Sequence, residues 1–162
     1  EDLLSLILVR FDQQVEAERR QRYAAQGLDL RQAVTLASMV EREAVVEDEQ
    51  ALIASVFLNR LQQGMKLDSD PTVQYAVGYD AGRGGWWVNP LTVEDLGVDS
   101  PYNTYRVMGL PPGPIANPGL TALQAVAYPA QTQYLYFRAR CDASGRHVFA
   151  VTYEEHLQNG CP

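Results

Sequence analysis

Cysteine and histidine are scarce in this 162-residue sequence, which has only Cys141, Cys161, His147 and His156. So few soft ligands, set apart along the chain, make a poor zinc site, and neither a metal nor another cofactor is expected. Basic residues are also in deficit: 13 Lys and Arg face 20 Asp and Glu, for a net charge of −7. Without a basic stripe the chain has no electrostatic footprint for nucleic acid. Its acidity gives no long-range pull toward an anionic polymer either, so any such substrate must be held by short-range contacts. No apolar run reaches the ~18 residues of a membrane span. The stretch Leu3–Val9 is too short and lacks the basic flank of a signal peptide. No glycine-rich fingerprint joins a strand to a helix, which argues against nucleotide-binding folds. The chain begins at Glu1 rather than Met, which suggests a segment of something longer.

What is present suits one domain with a core of its own. Leu4, Leu8, Phe11 and Val15 have helical spacing within a segment expected to be helical from Asp2 to Ala25 and stopped by Gly27. Asp29 and Gln32 form a capping-box pattern for a helix expected to reach about Val46. A further helix is expected over Glu49–Gln63, with Gly64 after it. In Asp68-Ser69-Asp70-Pro71 a capping side chain precedes a proline, and a short helix is expected over Thr72–Val77. Thr92–Asp95 opens another short helix that ends at Gly97. Ser100–Gly119 is rich in proline and glycine, yet Tyr102, Tyr105, Leu110 and Ile115 argue against disorder. Thr121 with Gln124 reads as the start of a helix reaching about Tyr128. Tyr134–Ala139 and His147–Val151 read as strands of a hairpin, and Thr152 with Glu155 caps a terminal helix. The class is α+β, with a helical N-terminal half, a loop-rich middle and a C-terminal β-hairpin.

The segment Leu36-Ala37-Ser38-Met39-Val40-Glu41-Arg42-Glu43-Ala44 carries the most chemistry. At about 100° per residue, Glu41 and Glu43 lie roughly 160° apart and cannot share one cleft. Glu43 falls within the apolar stripe of Leu36, Met39 and Val40, whereas Glu41 lies at its edge. A carboxyl held against apolar surface keeps its proton closer to neutral pH, as an acid that cleaves a glycosidic bond requires. Periodicity alone favours the ordinary alternative, a helix glutamate snorkelling to solvent or paired with an arginine.

The chain resembles the endolytic murein transglycosylase family, the YceG-like proteins. Six stretches carry the resemblance, in the family's order: LASMVEREA (36–44), ASVFLNR (54–60), GMKLDSDPTVQY (64–75), YNTY (102–105), GLPPGPIANPG (109–119) and YLYFRA (134–139). The resemblance implies a lysozyme-like catalytic cleft in a domain spanning 29–162, with 1–28 a helix or linker to a preceding region. It implies cleavage between N-acetylmuramic acid and N-acetylglucosamine inside nascent peptidoglycan strands, leaving 1,6-anhydromuramic ends. Glu43 is then the general acid/base, with Glu41 in reserve. One carboxylate suffices because the substrate's own C6 hydroxyl attacks the anomeric carbon, where hydrolysing enzymes use a second carboxylate. A non-catalytic glycan-binding or scaffold module and a water-using muramidase are the alternatives.

The matching motifs also suggest substrate contacts at Asp70, Thr72, Gln74, Tyr102, Asn103, Thr104 and Tyr105. Against these stands helix capping by Asp70 and loop stitching by the Tyr102–Tyr105 run. Pro111–Gly113 and Asn117–Gly119 are expected to shape the cleft wall. Trp86 and Trp87 read as a local core anchor ahead of a sugar-stacking pair. His147 resembles the family's Gly-His-x-Phe element and reads as a satisfied structural histidine, and His156 reads as surface. Family members carry an N-terminal membrane helix and a small LysM-like region, neither evident here. The implied location is the extracytoplasmic face of the bacterial membrane, with cell-wall synthases and division proteins as possible partners. From sequence alone, Cys141 and Cys161 read equally as free thiols or as one disulfide; in an oxidising compartment the disulfide is favoured.

Overall fold

A computed structural model describes residues 2–161. Eight α-helices and one antiparallel hairpin occur among them: α1 (Leu3–Gln14), α2 (Ala17–Ala25), α3 (Leu30–Glu43), α4 (Gln50–Gln62), α5 (Asp70–Val77), α6 (Val93–Leu96), α7 (Leu120–Ala127), β1 (Tyr136–Ala139), β2 (His147–Ala150) and α8 (Tyr153–Gln158). The class is α+β, as the sequence indicates. No helix among the described residues is long and apolar enough to cross a membrane.

The core forms where α3, α4 and α7 meet. Leu36, Met39 and Val40 of α3 pack with Ile53 and Phe57 of α4 and with Leu123 and Val126 of α7, all sealed from solvent. Asp29 caps α3 through the expected reciprocal pair: its carboxylate accepts from Gln32 N–H, and Gln32 Oε1 accepts from Asp29 N–H. The N-terminal segment is two helices instead of one. The chain bends at Val15, which becomes fully buried, and Arg20 Nε donates to the freed Val15 carbonyl at 2.8 Å. Of the spaced apolar residues ahead of the bend, Phe11 packs partly on the core, while Leu4 and Leu8 are exposed. Beyond it, Tyr23 is buried and its hydroxyl donates to the Leu123 carbonyl.

Helix α3 stops at Glu43, three residues short of the expected end. Ala44 adopts an extended conformation, and the acidic triplet Glu47–Glu49 forms a 3-10 turn leading into α4. Helix α7 begins at Leu120 behind Gly119, without a cap from Thr121, because the preceding loop delivers the chain there. The strands pair Tyr136 with Ala150 through to Ala139 with His147, slightly shorter than the aromatic runs suggested. Phe137 meets Phe57 edge-on at 5.8 Å, which seats the hairpin on α4. Asn59 donates to the carbonyls of Thr132 and Tyr134, and the buried Arg60 donates to that of Leu135. These side chains of α4 fix where the hairpin starts. Helix α8 lies against the hairpin through Tyr153 and His156, both beside Tyr136. A Cys141–Cys161 disulfide ties the end of β1 to the tail after α8.

Candidate active site

The end of α3, the start of α5, the loop at Tyr105 and the C-terminal hairpin with α8 converge on one groove of about 480 Å³. Glu43, Asp68, Asp70 and Tyr105 line it together with Tyr136, Arg138, His147, Tyr153 and His156. A separate cavity of about 540 Å³ is walled by Leu28, Leu58, Leu61, Leu110, Pro111 and Pro112, with no ionisable side chain. It lacks the means for acid–base chemistry, so the groove at Glu43 is the candidate site.

Because Glu43 ends its helix, its carboxyl emerges from the apolar stripe at the groove. Ser69, just before α5, donates its hydroxyl to Glu43 Oε1 at 2.5 Å. Burial pushes the Glu43 carboxyl up to about 7; the Ser69 hydroxyl opposes this and the charge of Asp70 adds to it. Near neutral pH this carboxyl can therefore both give and take a proton, which an exposed glutamate cannot do. Glu41 points elsewhere, accepting the Gly119 N–H at 3.1 Å. The two carboxylates hold the opposed positions that helical spacing assigns them, and only Glu43 reaches the groove.

The residues suggested as substrate contacts divide in two. Asp70 and Tyr105 line the groove and are joined there, the Tyr105 hydroxyl donating to Asp70 Oδ1 at 2.6 Å. Burial and that carboxylate raise the Tyr105 phenol, so it stays a protonated donor. Asp70 is the first residue of α5, where its charge suits the helix N-terminus; the capping position belongs to Ser69. The other five are engaged inside the protein. Thr72 and Thr104 are fully buried and share a hydroxyl hydrogen bond, and Thr104 Oγ1 accepts the Ser69 N–H. Gln74 donates to the Val88 carbonyl. Asn103, also buried, donates to the carbonyls of Leu96 and Val98. Tyr102 packs against Tyr75 with ring centroids 4.8 Å apart. Of the five, Thr72 and Thr104 hold Ser69, and through it Glu43, in place: Thr72 donates its hydroxyl to the Ser69 carbonyl and Thr104 accepts the Ser69 N–H.

Pro111–Gly113 and Asn117–Gly119 do not border the Glu43 groove. They buttress α3: Arg31 donates to the Pro112 carbonyl and the Gly119 N–H donates to Glu41 Oε2. Nor does the tryptophan pair anchor a core. Trp86 is 63% exposed beside Tyr79, Trp87 lies beneath the Arg42 guanidinium at 4.0 Å, and it is Val88 that is buried. His156 is a groove residue rather than open surface: it lies beside Tyr136, its Nδ1 is enclosed without a partner among the described residues, and burial lowers its pKa. His147 is satisfied on one side, its Nδ1 held by the buried Glu49 at 2.8 Å.

Sequence reasoning missed Ser69, Glu49, Arg60, Tyr136 and Tyr153. Arg60 binds the carbonyls of Lys66 and Leu67 and the Asp68 carboxylate, shaping the approach to α5. Ser69 and Glu49 take their roles from partners far along the chain, Glu43 and His147, and the Asp-Ser-Asp-Pro pattern that could have drawn attention to Ser69 reads locally as a cap.

The structure is thus an α+β domain with a protonatable carboxyl lining a groove shared with Tyr105, Tyr136 and Tyr153. The model of the YceG-like family matches residues 1–160, and the chain belongs to that family. It is 38% identical over 156 residues to a Bacillus subtilis protein named endolytic murein transglycosylase, covering 96% of this chain and 41% of that protein. It is 34% identical over 135 residues to a protein of the same name from Streptococcus pneumoniae serotype 2, covering 83% of this chain and 24% of that one. A crystal structure of a putative YceG-like protein from Listeria monocytogenes superposes with a TM-score of 0.76 at 41% identity, over 88% of this chain and 44% of that chain. The chain thus spans less than half the length of these relatives.

Proposed function

We propose that this chain is the catalytic portion of a peptidoglycan lytic transglycosylase, with the chemistry carried by residues 29–162. The observation behind the reading is Glu43, a carboxyl pushed up to about 7 by burial and lining a groove large enough for sugar units. Glu43 donates its proton to the glycosidic oxygen between N-acetylmuramic acid and N-acetylglucosamine, and the bond to the anomeric carbon breaks. The C6 hydroxyl of the muramic unit then closes on that carbon, and its proton returns to Glu43. The product is a 1,6-anhydro end, formed without water, and the carboxyl is regenerated. Asp70 and Tyr105 fix sugar hydroxyls beside it, which favours the reactive geometry. The relatives named murein transglycosylases support peptidoglycan as the substrate class and an extracytoplasmic place of work.

Asp70 supports a second reading. A carboxylate in the same groove could activate water, making the domain a muramidase. Mass spectrometry of digested glycan strands separates the two. Anhydromuramic ends are expected; reducing ends carrying an oxygen from labelled water would overturn transglycosylation.

A further inference from the structure

The hairpin brings one more polar group to the groove, one that the proposed reaction leaves unused. His147 is the first residue of β2, and both its backbone N–H and its ring Nδ1 point to Glu49 Oε2, at 3.0 and 2.8 Å. Glu49 is 5% exposed, with the Arg146 guanidinium 3.7 Å from its other oxygen. A carboxylate that takes two hydrogen bonds from one histidine selects the Nδ1–H tautomer, in which Nε2 presents a lone pair. Phe137 stands edge-on to the ring at 5.3 Å and limits its rotation. Nε2 has no hydrogen-bond partner among the described residues, and it is not among the enclosed atoms. His147 lines the groove that holds Glu43 and also a neighbouring pocket bordered by Tyr134, Val148 and Phe149. A buried carboxylate holding Nδ1 and a partner-free second ring nitrogen, on a residue that lines a sugar-sized groove, form a built recognition element. A histidine serving only to staple the hairpin would need just the Nδ1 side.

We infer that His147 Nε2 is a glycan-binding acceptor that takes a hydrogen bond from a hydroxyl or acetamido N–H of an N-acetylhexosamine unit, with Glu49 as the residue that positions it. The inference rests on the proposed reading of the groove as the peptidoglycan site. It assigns the hairpin a part in holding the strand, opposite in sign to the donors Tyr105 and Arg138 on the same groove.

The test separates the two sides of the ring. Asparagine at 147 places its amide near Nδ1 and can still donate to Glu49; glutamine reaches the Nε2 position and offers a carbonyl acceptor there. Both are made in a Glu43→Gln parent, and binding of a soluble tetrasaccharide of alternating N-acetylglucosamine and N-acetylmuramic acid is measured by calorimetry. His147→Asn is expected to weaken binding by about 5- to 10-fold, the loss of one hydrogen bond, while His147→Gln stays within roughly 3-fold of the parent. Thermal stability should follow the opposite order, since only asparagine keeps the bond to Glu49. Nitrogen-15 NMR should show the Nδ1–H tautomer in the parent and a mixture in Glu49→Ala, with binding weakened alongside. Unchanged binding in His147→Asn, or a greater loss in His147→Gln, would overturn the inference. Absence of tetrasaccharide binding to the parent itself would overturn it together with the substrate class. Continued cleavage by the parent concerns Glu43 alone, and the His147 comparison would then be made in KM, where the same order is expected.

Discussion

Among single residues, the proposed chemistry depends on the difference between Glu43 and its neighbour Glu41. Two positions apart on one helix, one carboxyl meets Ser69 in the groove and the other meets a backbone N–H at Gly119. Ser69 stabilises the charged form of Glu43, so Ser69→Ala should raise its pKa and move the alkaline limb of the activity profile to higher pH. Asp70 has the opposite effect, and Asp70→Asn should move that limb to lower pH. Initial rates across pH 5–9 check both shifts, which ought to fall on either side of a wild-type inflection close to the carboxyl's pKa of about 7. The same burial has a cost in stability. With a folded pKa of about 7 against an ordinary 4.5, the folded chain holds a proton that the unfolded chain releases, so stability falls as pH rises through that interval and levels off above it. Glu43→Gln removes this dependence. Denaturant unfolding should find the variant close to wild type near pH 4.5 and more stable by up to about 3 kcal/mol at pH 8.

At the level of elements, what could be read from the sequence was what local pattern controls. The Asp29–Gln32 and Thr152–Glu155 capping boxes, the hairpin and the face bearing Glu43 all follow from spacing over a few residues. Where elements end was harder to read. Helix α3 stops at Glu43 because Ala44 turns extended ahead of the acidic 3-10 turn, and the N-terminal segment bends at Val15 so that this side chain can be buried. The Tyr102–Tyr105 run carries the side chains common in sugar sites, yet Asn103 and Thr104 are consumed in pinning their own loop, because buried amides and hydroxyls must be satisfied. The disulfide acts at this scale too, since it secures α8, which supplies Tyr153 and His156 to the groove. It closes a separation of 20 residues. Replacing both cysteines with serine should cost about 3 kcal/mol, a drop in melting temperature of roughly 5–10 °C by calorimetry. An unchanged melting temperature would mean that α8 is held by its aromatic contacts alone.

For the molecule as a whole, the helical core and the hairpin act as two jaws, with Glu43 at the root of one and His147 and α8 on the other. That arrangement was legible only in outline. The sequence motifs mark both jaws, but not that Arg60 and Asn59 set the distance between them by binding the carbonyls ahead of β1. Those carbonyls lie 73 to 75 residues further along the chain, so no local pattern could reveal the pairing. The jaws give the acid a place to work only if a glycan strand enters between them and reaches Glu43. The most direct measurement compares wild type and Glu43→Gln on purified glycan strands, following both cleavage and strand binding. Cleavage should fall by at least about 1000-fold, in keeping with the loss of a general acid, with binding unchanged. A Glu43→Gln protein that still cuts strands at a rate near wild type would contradict the account.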